Sequence, residues 1–181
     1  MRKRTLNELV LDDHKRIEEL LDRFDQLPRQ RRAEAFRELT EALVQHEVAE
    51  EEVVYPAVRK FLVSGDELAG RRIEEQAAAE ELLAQMERTV SDDVGFMQLF
   101  VNLRDAVTEH AAAEETTVLP DLARTATPDV LLQLGEQYEW AKSAAPTHPH
   151  PHLPHVPPGN LALGTVAAVI DRIRDAIRKA S

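Results

Sequence analysis

The stretch His46-Glu-Val-Ala-Glu50-Glu-Glu-Val-Val-Tyr-Pro56 returns 64 residues later as His110-Ala-Ala-Ala-Glu114-Glu-Thr-Thr-Val-Leu-Pro120. Six positions match: His46/His110, Ala49/Ala113, Glu50/Glu114, Glu51/Glu115, Val54/Val118 and Pro56/Pro120. A histidine and a glutamate four residues apart project from one face of an α-helix, where they can hold one metal ion or share two. Around the first copy, Leu39, Leu43, His46, Glu50, Val53 and Ala57 recur in alternating steps of three and four. Around the second, the same rhythm runs through Phe100, Leu103, Val107, His110, Glu114 and Thr117, and upstream Val10, His14, Ile17 and Leu21 repeat it.

Each of these histidines therefore falls inside an apolar stripe. One histidine in such a stripe is ordinarily a satisfied core residue, and one His-x-x-x-Glu pair on a Glu-rich helix says little. The distribution is what decides. Of seven histidines, the three in the long helical segments all lie on the inward stripe, and two glutamates join them. A carboxylate at a core position is expensive to desolvate unless a cation or hydrogen-bonding partner compensates it. A buried metal site follows.

Working outward, Thr5-Leu6-Asn7-Glu8 reads as a capping box opening a helix over 5–27, ahead of Pro28. Further helices are expected over 31–62, with Pro56 as a kink, over 66–90, and over 94–124, with Ser91-Asp92-Asp93 as the turn between the last two. A shorter helix over 128–143 has Pro128 in its first turn. Four long helices with short turns predict an all-α, antiparallel up-down-up-down four-helix bundle over 1–126. The helix at 127–144 follows it. Then come an extended linker over 145–160, in which His148, His150, His152 and His155 alternate with prolines, and a C-terminal amphipathic helix over 161–181. The linker is read as a spacer that lays the last helix on the bundle or on a second copy, as a homodimer contact.

Composition narrows the function. With 33 acidic against 22 basic residues the net charge is −11, the wrong sign for a nucleic-acid binder. There is no cysteine, so disulfides, thiolate metal sites and thiol nucleophiles are excluded. No apolar run is long enough to span a membrane and the basic start lacks a signal-peptide core, so a cytoplasmic protein without stable membrane insertion is expected. Imidazole with carboxylate and no sulfur suits iron, manganese or zinc; two carboxylates able to bridge favour a pair of metals, with iron leading.

The segments DDHKRIEELL, QHEVAEEEVVYPAVR, EEQAAAEELL and EHAAAEETTVLPDL, in that order between Leu6 and Leu122, resemble the hemerythrin-like His-His-Glu cation-binding family, and LGEQYEWAK onward is similar to the tail of its bacterial members. The resemblance implies two non-haem irons, oxo- or hydroxo-bridged, with His14, His46 and His110 as nitrogen ligands and Glu50 and Glu114 as bridging carboxylates. It implies a small oxidant (dioxygen, peroxide or nitric oxide) as the ligand, with possible catalase-like turnover; a non-catalytic iron sensor or store acting through a partner is the alternative. One position departs from the family. Gln76 stands where the family carries a histidine, and Glu80 follows one turn on. An oxygen-richer donor set favours ferric iron and disfavours reversible oxygen carriage. Two neighbours are further candidates: Glu47, about 100° round the helix from His46, and Tyr55 beside Pro56. The residues alone favour a solvated Glu47, a hydrogen-bonded core role for Tyr55, and solvated faces for the rest of the Glu50-Glu51-Glu52 and Glu80-Glu81 runs.

Overall fold

A computed structural model describes residues 2–89 and 94–149. The first helix, α1 (Leu6–Gln26), opens with the expected capping box: the Thr5 side chain accepts from the Glu8 backbone N–H, and the Glu8 carboxylate accepts from the Thr5 backbone N–H at 2.9 Å. It buries Leu6, Leu9, Val10, His14, Ile17, Leu20, Leu21 and Phe24. A 3-10 turn (Arg29–Arg31) leads into α2 (Arg32–Ala49). The rod runs on through a π turn (Glu50–Val54) into α3 (Tyr55–Phe61). Next comes α4 (Gly65–Arg88). A second composite rod follows: α5 (Val94–Ala113), a π turn (Glu114–Val118) and α6 (Leu119–Thr125). Finally, α7 (Pro128–Ala144) is capped by Thr127 and lies across α1 and α2. All regular structure among the described residues is helical, and the four rods form the expected up-down-up-down bundle.

The two π turns are where the structure parts from simple helical periodicity. Pro56 and Pro120 have no N–H, and each ring would collide with the carbonyl four residues back in an α-helix. The chain answers with a wider turn instead of a sharp kink. Tyr55 N–H bonds the Glu50 carbonyl and Leu119 N–H bonds the Glu114 carbonyl, five residues back in each case. The extra residue shifts the inward stripe by one position. Thr117, expected to face inward, is exposed, and its neighbour Val118 is fully buried. The same shift buries both Val53 and Val54 on the other rod.

Two apolar layers result. One holds Leu6, Val10, Val54, Val58, Leu122 and Tyr138; the other holds Leu21, Phe24, Leu39, Leu83, Phe100 and Leu103, with Phe24 stacked on Phe100 at 4.2 Å between ring centroids. Between them lies a polar layer from four rods: His14, His46, Glu50, Gln76, Glu80 and Glu114, all buried. Gly65 permits the tight α3–α4 corner, since a Cβ there would sit 2.3 Å from the Val58 carbonyl oxygen.

Among the described residues no helix is long and apolar enough to cross a membrane. The expected turn at 91–93, most of the linker, His150, His152, His155 and the C-terminal helix with its dimer contact lie outside the described residues.

Candidate metal centre

Each expected ligand is delivered by a different part of the bundle: His14 by α1, His46 by the last turn of α2, Glu50 and Glu114 by the first residues of the π turns, and His110 by α5. One nitrogen or oxygen each from His14, His46, Glu50 and Glu114 falls within a single sphere, all lying within 4.8 Å of one another. His14 Nε2 is 3.8 Å from Glu50 Oε1 and 3.4 Å from Glu114 Oε2, and His46 Nε2 is 3.3 Å from Glu50 Oε1.

His110 lies on the opposite side of the same two carboxylates. Its Nε2 is 3.8 Å from Glu50 Oε2 and 3.7 Å from Glu114 Oε1. The four carboxylate oxygens are therefore divided, one from each glutamate toward His14 and His46 and the other toward His110. Tyr55 joins this second lobe, its hydroxyl 3.1 Å from Glu114 Oε1, 3.4 Å from Glu50 Oε2 and 3.4 Å from His110 Nε2. In an uninterrupted α-helix, Tyr55 would stand roughly 140° away from Glu50. The wide π turn brings the two onto one face. Gln76 reaches the same lobe, donating from Nε2 to Glu50 Oε2 at 2.6 Å.

These residues fit a metal better than they fit one another. His14 Nε2, Glu50 Oε1 and Glu114 Oε2 are buried without a hydrogen-bond partner, a state that costs about 1–3 kcal/mol per group, more when charged. Two ligands bonded at about 2.1 Å to one ion stand about 3.0–3.4 Å apart. The observed separations are at or just beyond that range.

The histidines are aimed from behind. His14 Nδ1 meets Glu115 Oε1 at 2.9 Å, His110 Nδ1 meets Glu75 Oε2 at 3.0 Å, and His46 Nδ1 meets the Tyr138 hydroxyl at 2.8 Å. Tyr138 in turn donates to Asp13 Oδ2 at 2.9 Å, and Lys142 donates to the same Asp13 oxygen at 2.6 Å. Burial opposes the charge on Asp13, but His46 and Lys142 outweigh it and hold its pKa down to about 2. Asp13 is thus an acceptor only. The Tyr138 proton points to it, and the Tyr138 oxygen accepts from His46 Nδ1–H. That order commits His46 Nδ1–H to Tyr138 and leaves Nε2, which faces Glu50, as the atom open to a metal.

None of Glu75, Glu115, Asp13, Tyr138 or Lys142 was singled out in the sequence reading. Glu115 carried a signal, being one of the six repeated positions. Tyr138 carried none, since nothing local says that α7 lies over His46.

Charge inside the layer is shared between acids and imidazoles. Burial opposes protonation of His14, but the Glu114 and Glu50 carboxylates outweigh it and carry its pKa up to about 10. The same competition, with Glu50, Glu114 and Glu75 as the carboxylates, brings His110 up to about 9. Burial would raise Glu50, but His46, His110 and His14 hold it well below the carboxylate range. Glu114 is raised, by burial first and then by the Glu50 charge.

Three readings of the acidic residues need correction. Glu47 is not on the solvated surface: it is only 5% exposed, on a rod that packs against α4. Glu51 and Glu80 are likewise buried. Burial, with the Glu80, Glu51 and Glu50 charges, pushes the Glu47 pKa well above the carboxylate range.

Residues 5–122 match the hemerythrin HHE cation binding domain. The chain belongs to that family. An uncharacterized hemerythrin-like protein of Schizosaccharomyces pombe is 31% identical over 138 residues, 76% of this chain and 68% of that protein. A protein named DNA nickase from a Nostoc species is 27% identical over 139 residues; this hemerythrin-like chain spans only 39% of its length. The crystal structure of a hemerythrin HHE cation binding domain-containing protein from Mycobacterium kansasii superposes with a TM-score of 0.69 at 22% identity, covering 77% of this chain and 86% of that one, which shows a shared fold. The family match ends at residue 122, so Tyr138 and Lys142, which complete the setting of His46, lie beyond it.

Proposed function

We propose that this hemerythrin-like protein holds a carboxylate-bridged pair of non-haem irons and reacts with small oxidants, peroxide foremost. One observation carries the reading: the oxygens of Glu50 and Glu114 are split between two lobes, each with its own imidazole. His14 and His46 would hold one ion, and His110 the other. Bound iron supplies the electrons that a peroxide or nitric oxide exchanges.

The chain's residues do the rest. The two apolar layers exclude bulk water from above and below. Burial and the Glu114 and Glu50 charges keep the Tyr55 hydroxyl protonated well above its usual range, so that it stands as a proton donor at the second lobe. Glu47, next to His46 in the chain, is a buried carboxyl whose pKa is likewise raised, by burial and by the charges of Glu80, Glu51 and Glu50. In place of the family histidine, Gln76 supplies a neutral amide, and the resulting oxygen-rich set stabilises the ferric state more than a histidine-rich one does. That favours peroxide chemistry over reversible oxygen carriage.

The test is steady-state peroxide consumption by iron-loaded protein, with oxygen evolution followed in parallel. Sustained turnover that disappears in Glu50→Ala supports the reading. Iron-bound protein with no turnover refutes the redox role and leaves a storage or sensing site.

A further inference from the structure

The centre opens into a cavity of about 400 Å³ between α1 and α5. Dioxygen or peroxide needs little more room than a water molecule or two, whereas cavities of about 300–1,000 Å³ are the size that holds organic ligands. The walls are divided in kind. At one end are the polar groups of the centre, His14, His46, Glu47, Gln76 and His110. At the other, all four rods contribute apolar side chains: Ile17 and Leu21 from α1, Leu43 from α2, Ala79 from α4, and Ala106 and Val107 from α5.

The space exists because of residue size. Where α5 faces α1 it presents Ala106, Ala111 and Ala112, too short to close the gap, and Leu11 stands 43% exposed at the rim beside Lys15. From the level of His14 to that of Leu21 is seven residues, about 10 Å at 1.5 Å per residue, the reach of a medium-length aliphatic chain.

We propose that this cavity binds a medium-chain aliphatic carboxylate, with its oxygens at the metal centre and its tail between Ile17, Leu21, Leu43, Ala79 and Val107. The proposal rests on the metal-centre reading above. A bound metal pair is the largest positive charge in the region and selects an anionic oxygen head. The interior of the tail end is apolar and selects hydrocarbon, with the exposed Glu18 and Thr108 at its rim. Lys15 shares the mouth with Glu18 and Glu115, so the charge that selects the head is that of the metal pair.

The test is calorimetric titration of the metal-loaded full chain with butyrate, hexanoate, octanoate and dodecanoate, accompanied by near-ultraviolet spectra of the centre. Each added methylene up to octanoate should tighten binding about fourfold, the equivalent of about 0.8 kcal/mol per buried CH₂. Dodecanoate should gain nothing further, because the cavity has ended. Ala106→Leu, at a half-buried wall position, should keep its metal and weaken octanoate at least tenfold. Ala79→Leu fills the space from the neighbouring rod α4 and serves should the first variant fold poorly. Metal-loaded protein that ignores octanoate, binds all chain lengths alike, or binds octanoate unchanged in both filled variants overturns the cavity proposal while leaving the metal centre standing. A chain that takes up no metal overturns the centre itself.

Discussion

Tyr138→Phe isolates the part of the centre that lies beyond the family match. The substitution removes one oxygen and keeps the ring, which is fully buried against α1 and α2, so no water replaces the lost group. Two hydrogen bonds go with it: the one given to ionised Asp13 at 2.9 Å and the one received from His46 Nδ1 at 2.8 Å. Lys142 still satisfies Asp13, so the larger loss falls on His46, whose Nδ1–H keeps only Asp13 Oδ2 at 3.8 Å, beyond hydrogen-bond reach. A hydrogen bond to a charged group contributes about 1.5–3 kcal/mol and an orphaned buried donor costs about 1–3 kcal/mol. Because the two overlap, metal-free protein should lose about 2–4 kcal/mol in urea unfolding at an unchanged slope. The metal should suffer as well. Freed of its partner, His46 can turn or adopt the other tautomer, and losses of this kind weaken metal binding about 10- to 100-fold. A competition titration against a chelator reads that directly. Less than about 0.5 kcal/mol in stability with unaltered metal affinity would refute the assignment of Tyr138 as the group that orients His46.

Three further outcomes follow from the same geometry. His14 and His110 have folded pKa values of about 10 and about 9, raised from an ordinary 6.5, so the stability they give the metal-free protein is fully present below pH 6.5 and lost as pH rises through 9 to 10. Melting curves between those limits should fall for metal-free protein and stay flatter for loaded protein, in which Nε2 carries metal instead of a proton; parallel curves would contradict this. Gln76→His replaces the amide beside Glu50 with an imidazole and should tighten the second metal at least tenfold in a chelator titration, whereas a neutral result would mean position 76 only packs. Pro56→Ala restores an N–H able to bond the Glu52 carbonyl and so relaxes the π turn; it should weaken metal binding with little loss of helix by circular dichroism, and unchanged affinity would show that the π turn does not depend on the proline.

Much of the centre was legible because the sequence states it twice. His46/His110 and Glu50/Glu114 sit at one spacing on two stripes, and His14 repeats the placement, so three imidazoles and two carboxylates had to converge once the rods packed. What escaped depended on how rods meet rather than on any one rod. Thr117 failed to face inward because Pro120 is accommodated by a wide turn, and a period of 3.6 residues carries no sign of the added one. Glu47, Glu51 and Glu80 read as solvated because glutamates on a Glu-rich helix usually are; their burial is imposed by neighbouring rods. Tyr138 shows the limit most clearly. Its role exists only because α7 crosses α1 and α2 at His46, a contact spanning 92 residues of sequence.

The most direct test of the central claim is the metal content of protein made in iron-replete cells and purified in air, measured by elemental analysis with an absorption spectrum of the same sample. The division of Glu50 and Glu114 between two lobes predicts about two irons per chain and charge-transfer absorption in the near ultraviolet. One iron per chain would contradict the paired centre, and none, after anaerobic ferrous loading as well, would contradict the metal site altogether.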